Sequence, residues 1–326
     1  MINLFTLAEP LRELFNFRAG LPGRKGETVH MDFTGKNIVI TGASSGIGLA
    51  SARLLAQKGG NVYALSRRAR TGERTNCGRG RIIEVGCDVT DSRSVGQAFE
   101  YIFSDAENIY GLVNCAGTGI AGAVEETSEE ELSGQLDCNL YGTLRALREA
   151  LGRMRKQGEG RVVNMSSVGG LIGLPFQGMY SASKFALEGM TEALRNELRP
   201  FGIRVCLIEP GDVRTGFTRS RRYTAQTRES EVYRRELCSA VNAMSVSEEK
   251  GMPPEKVARL VLKALSMKNP PVRMAAGGGY KALCFIKRFL PDRLVSWVVF
   301  KMYCTRKSLG SEYWDFEKDV LGVKKG

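Results

Sequence analysis

The chain is expected to fold as a doubly wound α/β domain, a parallel sheet with helices packed on both faces. Two observations predict it. From Asn37 onward, short continuous apolar runs alternate with segments whose apolar residues recur every three or four positions. The apolar runs lack the in-out alternation of a half-exposed strand, which is the pattern of parallel strands covered on both sides.

Taken in order, "NIVIT" (37–41) is the first strand and "IGLASARLLAQKG" a helix closed by Gly59 and Gly60. "NVYALS" (61–66) is the second strand, "RIIEVGCD" the third, "GLVNCAG" the fourth, "RVVNMSS" the fifth and "IRVCLIEPG" the sixth. Between them, "SVGQAFEYIFSD", "QLDCNLYGTLRALREALGRMRKQ" and "SASKFALEGMTEALRNELRPFG" carry helical periodicity. Residues 1–34 read as an amphipathic helix followed by the Gly-rich linker "AGLPGRKGETVH". The main body spans 35–276, and its polar insertion 212–252 has the length and placement of a lid or binding loop. Residues 277–326 form an apolar, basic C-terminal extension.

Composition narrows the function. The 326 residues are 43% hydrophobic and 25% charged, as in a soluble globular protein, and 47 Lys and Arg against 35 Asp and Glu give a net charge of +12. That charge suits an anionic partner: a nucleotide phosphate, an acidic membrane surface or nucleic acid. The basic residues are scattered, with no RNA-binding aromatic pattern, so nucleic acid is not expected. The one histidine, His30, lies outside the body, which excludes a His-based metal site or a Ser-His-Asp triad there; no metal is expected. The eight cysteines show no paired CxxC spacing and read as reduced thiols. The N-terminus breaks its apolar stretch with Glu9, Pro10, Arg12 and Glu13, unlike a secretory signal, and no apolar run is long enough to span a bilayer. A cytoplasmic protein is expected, with peripheral membrane contact through its termini as an additional reading.

"TGASSGIG" (41–48) lies between the first strand and the first helix. Gly42, Gly46 and Gly48 permit a tight turn and close approach of a pyrophosphate, while Ser44, Ser45 and Ile47 bring the helix N-terminus, with its free N–H groups and positive dipole, against it. The second strand ends at Ser66, a position where an acid would hold a ribose 2′-hydroxyl, and Arg67 and Arg68 follow it. Guanidinium groups pair with a 2′-phosphate, so NADP(H) is expected over NAD(H). The competing reading is a solvated basic turn, since Arg70, Arg74, Arg79 and Arg81 follow.

In "GMYSASKFALEGM" (178–190), Tyr180 and Lys184 stand four apart on one helix face. An ammonium beside a phenol stabilises phenolate and brings the tyrosine toward the working range of a general acid/base. On spacing alone, a core ring and a solvated lysine is the commoner arrangement.

The order "TGASSGIG", "NCAG" (114–117), "NLYGT" (139–143), "NMSSVGG" (164–170), "YSASK" (180–184) and "EPGDVRTGF" (209–217) resembles the short-chain dehydrogenase/reductase family over roughly residues 35–275. The resemblance implies a Rossmann fold, a homodimer or homotetramer, and a catalytic tetrad of Asn139, Ser167, Tyr180 and Lys184. In it Tyr180 is the acid/base, and Lys184 lowers its pKa and holds the nicotinamide ribose. Ser167, with Ser166 as second choice, bonds the substrate oxygen, and Asn139 holds a water of the proton relay. Asp88 and Val89 correspond to adenine contacts, and Asn114, Ala116 and Gly117 to the wall near the adenine ribose. Pro210, Gly211, Val213 and Thr215 correspond to the loop beside the nicotinamide amide. Cys115 departs from the family's usual asparagine.

The stretch from "SSVGGLIGLPF" through "NEL" is similar to the hydroxysteroid and retinol dehydrogenase branch, above all the estradiol-type 17β-hydroxysteroid dehydrogenases. It implies interconversion of a secondary alcohol and a ketone on a small apolar substrate such as a steroid or similar lipid. Alternatives are a 3-oxoacyl thioester reductase and a non-catalytic NADP(H)-binding sensor or scaffold. Leu171, Ile172, Leu174, Pro175, Phe176 and Met179 line the pocket or merely cover the helix start, and the C-terminal apolar and basic residues suit a lid or a membrane surface equally.

Overall fold

The computed structural model describes residues 31–277, 279–280, 286–287, 289–304 and 315–322. The amphipathic helix and linker expected over 1–34 lie, up to His30, outside the described residues. The first half of the chain runs β1 (Asn37–Thr41), α1 (Gly46–Gln57), β2 (Asn61–Ser66), β3 (Arg74–Cys77), β4 (Gly80–Gly86), α2 (Ser92–Asp105), β5 (Gly111–Asn114) and the short β6 (Ile120–Ala121). It continues through α3 (Glu129–Leu136), a π-turn at Asp137–Tyr141, α4 (Gly142–Gln157), β7 (Gly160–Met165), α5 (Gly178–Leu198) and β8 (Ile203–Pro210). The insertion folds into α6 (Phe217–Ser220), β9 (Arg222–Tyr223), α7 (Gln226–Glu229) and α8 (Arg234–Glu249). Then come α9 (Pro254–Ser266), β10 (Arg273–Ala276), α10 (Asp292–Tyr303) and α11 (Phe316–Asp319).

The main sheet has eight strands in the order β10-β8-β7-β5-β1-β2-β4-β3, and all but β3 run parallel. Order reverses at β1: one half of the chain builds toward β3, the other toward β10. At such a switch point the loops after neighbouring strands part and leave a crevice beyond their C-terminal ends. Helices cover both faces, as the unalternating apolar runs require. On one face Phe99, Ile102 and Leu147 pack against Tyr63 and Leu112, and on the other Leu55, Val261 and Leu265 pack against Ile38 and Ile40.

Two strands exceed the six expected. Strand β3 pairs antiparallel with β4 through a turn at Gly78, whose φ is 63°. Its "RTNC" is nearly all exposed, so it carries no apolar signal and reads in sequence as part of the basic stretch. Strand β10 is hidden because its Arg273 is held by carboxylates rather than by water. The guanidinium pairs with Glu188 and Glu192 of α5 and Glu209 of β8, at 2.8, 2.5 and 3.1 Å.

The polar 212–252 segment is mostly helical, not an open loop. Its α8 buries Leu237, Cys238 and Val241 against Ala121 and against Phe316 and Val320 of the C-terminal segment. Among the described residues, no helix is long and apolar enough to cross a membrane, and the seven described cysteines are free thiols.

Candidate active site

The crevice begins at the turn between β1 and α1. Gly42 (φ 67°) and Gly46 (φ 54°) adopt left-handed backbone that disfavours any side chain. A Cβ on Gly42 would stand 2.7 Å from the Ala116 backbone, and one on Gly48 would stand 2.3 Å from the Gly42 carbonyl oxygen. A Cβ on Gly46 would meet only the Thr215 side chain, at 3.3 Å, so that glycine faces the crevice across from the loop after β8. The N-cap Ser45 makes no side-chain bond to α1, and the first turn holds no acid. A helix start with its own N–H groups unclaimed and no negative charge is suited to a dinucleotide pyrophosphate.

Ser66 closes β2 half-buried, with Arg67 and Arg68 exposed beside it. Across from them, burial pushes the Asp88 carboxyl up, but hydrogen bonds from Thr90 and the charges of Arg67 and Arg145 outweigh it and hold the group below the usual carboxylate range. Val89 lies flat on the helix start at Gly142, where a Cβ would approach it to 2.9 Å. Asn114 is turned into the sheet: its amide donates to Asn164 at 2.8 Å, and Asn164 donates to Thr191 of α5 at 2.9 Å. Asn114 thus supports the crevice floor, while Ala116 is pinned to β1 through its N–H to Thr41 Oγ1 at 3.2 Å.

Next to the floor lies a cavity of about 190 Å³ whose wall includes Ser167, Tyr180 and Lys184, together with Gly117, Pro210, Gly211, Val213 and Thr215. Helix α5 carries Tyr180 and Lys184 at its buried N-terminal end, and the turn after β7 supplies Ser167. Ser167 Oγ accepts the Gly169 N–H at 3.1 Å, which leaves its own proton free for another acceptor, and its hydroxyl also favours the Tyr180 phenolate. Ser166 points elsewhere: its Oγ lies next to Gly170 and the Glu188 side chain, and so Ser167 is the serine that addresses the tyrosine.

Lys184 Nζ donates to the Met165 carbonyl at 2.8 Å and lies 5.8 Å from the Tyr180 ring centre. The expected depression of the tyrosine pKa is absent. Burial pushes Tyr180 up to about 12, with a further push from Glu248, against weaker opposition from Ser167 and Arg221. Burial also lowers Lys184 to about 8. Each group pays for leaving water, and the lysine spends its hydrogen bond on the end of β7 rather than on the phenol. At neutral pH the pair is therefore a protonated phenol beside a mainly charged ammonium.

Asn139 sits in the π-turn between α3 and α4. Its Oδ1 accepts the Thr118 N–H at 2.9 Å, and its Nδ2 donates to the Thr118 carbonyl and to Ser183 Oγ, each at 3.0 Å. The side chain is consumed in tying the 117–118 wall to α5, so any part it takes in a water relay falls to its main chain. Cys115 lines the cavity, and burial pushes its thiol up to about 12, which keeps it neutral.

Several wall residues have no signature in the sequence. Phe217 stacks its ring 5.6 Å from that of Tyr180. Glu248 of α8 enters the wall and pairs with the fully buried Arg221, while Thr218 donates to it. The Tyr280 ring covers Gly211, and its hydroxyl donates to Asp212. All come from the insertion or the tail, where only folding brings them to the tyrosine. Phe176, the one non-glycine among the described residues with positive φ (59°), sits just before α5 and accepts the Gly122 N–H through its carbonyl.

A dinucleotide turn at the sheet's switch point, with serine, tyrosine and lysine converging beyond it, agrees with the family comparison. The model of the short chain dehydrogenase family matches residues 36–226. The chain belongs to this family. It is 40% identical over 270 residues to the 3-ketodihydrosphingosine reductase of Bacteroides thetaiotaomicron, covering 82% of this chain and 98% of that one. It is 37% identical over 250 residues to human 17-beta-hydroxysteroid dehydrogenase type 1, covering 72% and 76% of the two chains. Solved structures of the family share the fold. The short chain dehydrogenase/reductase of Burkholderia phymatum, solved in complex with NAD, superposes with a TM-score of 0.63 at 25% identity, over 74% of this chain and 89% of that one. The short-chain dehydrogenase is thus an oxidoreductase acting between CH–OH and C=O with a nicotinamide cofactor.

Proposed function

We propose that this short-chain dehydrogenase is an NADP(H)-dependent reductase of a lipid ketone, running the reverse oxidation when the secondary alcohol is in excess. The observation that carries the reading is the meeting of Ser167, Tyr180 and Lys184 on one wall of a cavity whose other wall is the 210–215 loop. The glycine turn and the unclaimed start of α1 would hold the pyrophosphate, and Arg67 and Arg68 the 2′-phosphate.

When bound, the nicotinamide cofactor would supply the hydride for the carbonyl carbon. Tyr180, a neutral phenol at physiological pH because its pKa is near 12, delivers its proton to the carbonyl oxygen. Ser167, whose own acceptor is taken by Gly169 N–H, donates to that oxygen as negative charge grows on it. Lys184 keeps two ammonium protons beyond the one given to Met165, and these would hold the ribose hydroxyls of the cofactor.

A lipid ketone is favoured by the apolar wall of Val168, Leu174 and Phe217 and by the two relatives, one named for a ketosphingoid and one for a hydroxysteroid. Helix α10 adds a route to lipid. It exposes Trp297, Phe300 and Leu294 to 56, 53 and 42%, with Arg293 and Lys301 beside them, a composition fit for an anionic membrane surface.

The test is NADPH oxidation over 3-ketodihydrosphingosine, ketosteroids, retinal and acyl thioesters, with Tyr180→Phe as control. Turnover of a ketone that falls about 10²-fold or more in Tyr180→Phe, with cofactor affinity kept, supports the reading; near-wild-type turnover in that variant overturns it. Pelleting with anionic vesicles, lost in Trp297→Ser, tests the membrane contact, and absence of pelleting by the wild type removes it.

A further inference from the structure

The cavity at Tyr180 is small, and it shares a wall residue with a second space. A second depression of about 550 Å³ opens between the 171–175 segment and α10. Leu174 belongs to both, and Tyr303 on the cavity side is followed by Cys304 on the other. The shared leucine is held in place because its N–H donates to Ser181 Oγ of α5 at 3.1 Å.

The lining of the larger depression differs from that of the cavity. Leu171, Ile172 and Pro175 form one side, Val295 and Val299 of α10 the other, and Phe185 of α5 the floor. The polar groups of its lining include Ser296 and the pair Lys287 and Asp292, and Lys287 is engaged, its ammonium donating to the Leu171 carbonyl and so tying the two walls together. The catalytic cavity, by contrast, carries Ser167, Asp212 and Glu248 around the tyrosine. Phe185 is 45% exposed, apolar area that an occupant would take from water.

We propose that this groove holds the unbranched hydrocarbon chain of the substrate, so that the enzyme takes a long amphiphile whose ketone lies near its polar end. The inference rests on the ketone-reductase reading and adds to it the shape of the molecule. A small compartment at the reacting group, where Ser167, Asp212 and Glu248 stand, and a larger one beside Leu174, lined by Leu171, Ile172, Val295 and Val299, fit a chain with a short polar head. A rigid polycycle would have to turn sharply at Leu174 to use both.

The groove is tested with NADPH oxidation over a homologous series of unbranched ketones that share a hydroxyl near the carbonyl and differ only in chain length. Each methylene buried raises wild-type kcat/KM by about threefold to fourfold until the groove is full. Filling it with Val299→Trp or, independently, Val295→Trp lowers the preference for long over short chains at least tenfold. A wild type indifferent to chain length, or variants that keep the wild-type preference, overturns the proposal.

Should the enzyme turn over no ketone at all, the reading under Proposed function fails, and the groove is then judged by direct binding of a fluorescent long-chain alcohol. Binding that is weakened at least tenfold in Val299→Trp supports the chain site, and binding unaffected by it refutes the site. Sedimentation of the same variants covers the remaining occupant. If Val299→Trp dissociates an oligomer of the wild type, the groove is a subunit interface and the proposal is wrong.

Discussion

Lys184 offers a quantitative check on the site, because the burial that aims it at the crevice also makes the protein less stable. Its pKa falls from 10.5 to about 8, first through burial, against weaker opposition from Glu188. The folded state therefore sheds this proton before the unfolded state does. Between pH 8 and 10.5 the unfolded chain binds more protons, and stability rises with pH through that window. At about 1.4 kcal/mol per pH unit, the charged lysine lowers stability at pH 7 by about 3 kcal/mol, a penalty that vanishes once both states are neutral.

Lys184→Met keeps the length of the side chain and removes the titration. It also leaves the Met165 carbonyl without its donor, which lowers stability by about 1–3 kcal/mol independently of pH. The absolute difference between the two proteins at pH 7 is consequently small, but its change with pH is not. Urea unfolding of both cofactor-free proteins from pH 7 to pH 10 should show wild type gaining about 2–3 kcal/mol on the variant. Cys115 stays a thiol over that range because its pKa is near 12. A difference that stays flat to within about 0.5 kcal/mol would refute the burial argument.

Other substitutions probe the remaining parts. Gly48→Ala drives a Cβ into the Gly42 carbonyl, 2.3 Å away, and should weaken cofactor binding by at least about tenfold in a fluorescence titration. Arg67→Asp should move the preference from NADPH toward NADH; an unchanged ratio of affinities removes the phosphate role from Arg67. Arg273→Leu removes a cation from beside the buried Glu188 and Glu209 and should lower stability by about 3–5 kcal/mol in urea unfolding.

Much of this architecture is legible in the chain itself. Apolar runs without alternation report strands covered on both faces, and three glycines between a strand and a helix report a turn that must pass close to another backbone. Both are local rules, so β1, α1 and the glycine turn between them are readable from sequence. The basic pair after Ser66 is readable for the same reason, since it sits at the end of a recognisable strand. Tyr180 and Lys184 share a helix face by spacing alone, and the order of family-like segments around them marks the pair as chemical.

What the spacing of residues does not contain is the environment. That burial raises the tyrosine and lowers the lysine, that Ser167 and not Ser166 faces the phenol, and that Asn139 and Asn114 spend their amides on the scaffold depend on distances across the sheet's switch point. Strand β10 escapes notice because an arginine in a strand looks solvated until three carboxylates from α5 and β8 are found around it. Phe217, Glu248 and Tyr280 reach the cavity from segments that read as a polar insertion and a basic tail. Local sequence determined the glycine turn and the shared helix face of Tyr180 and Lys184, because their geometry is set within one turn or one helix. Tertiary structure alone decided the shape and polarity of the space beside them, because that space is enclosed by side chains far apart in the chain.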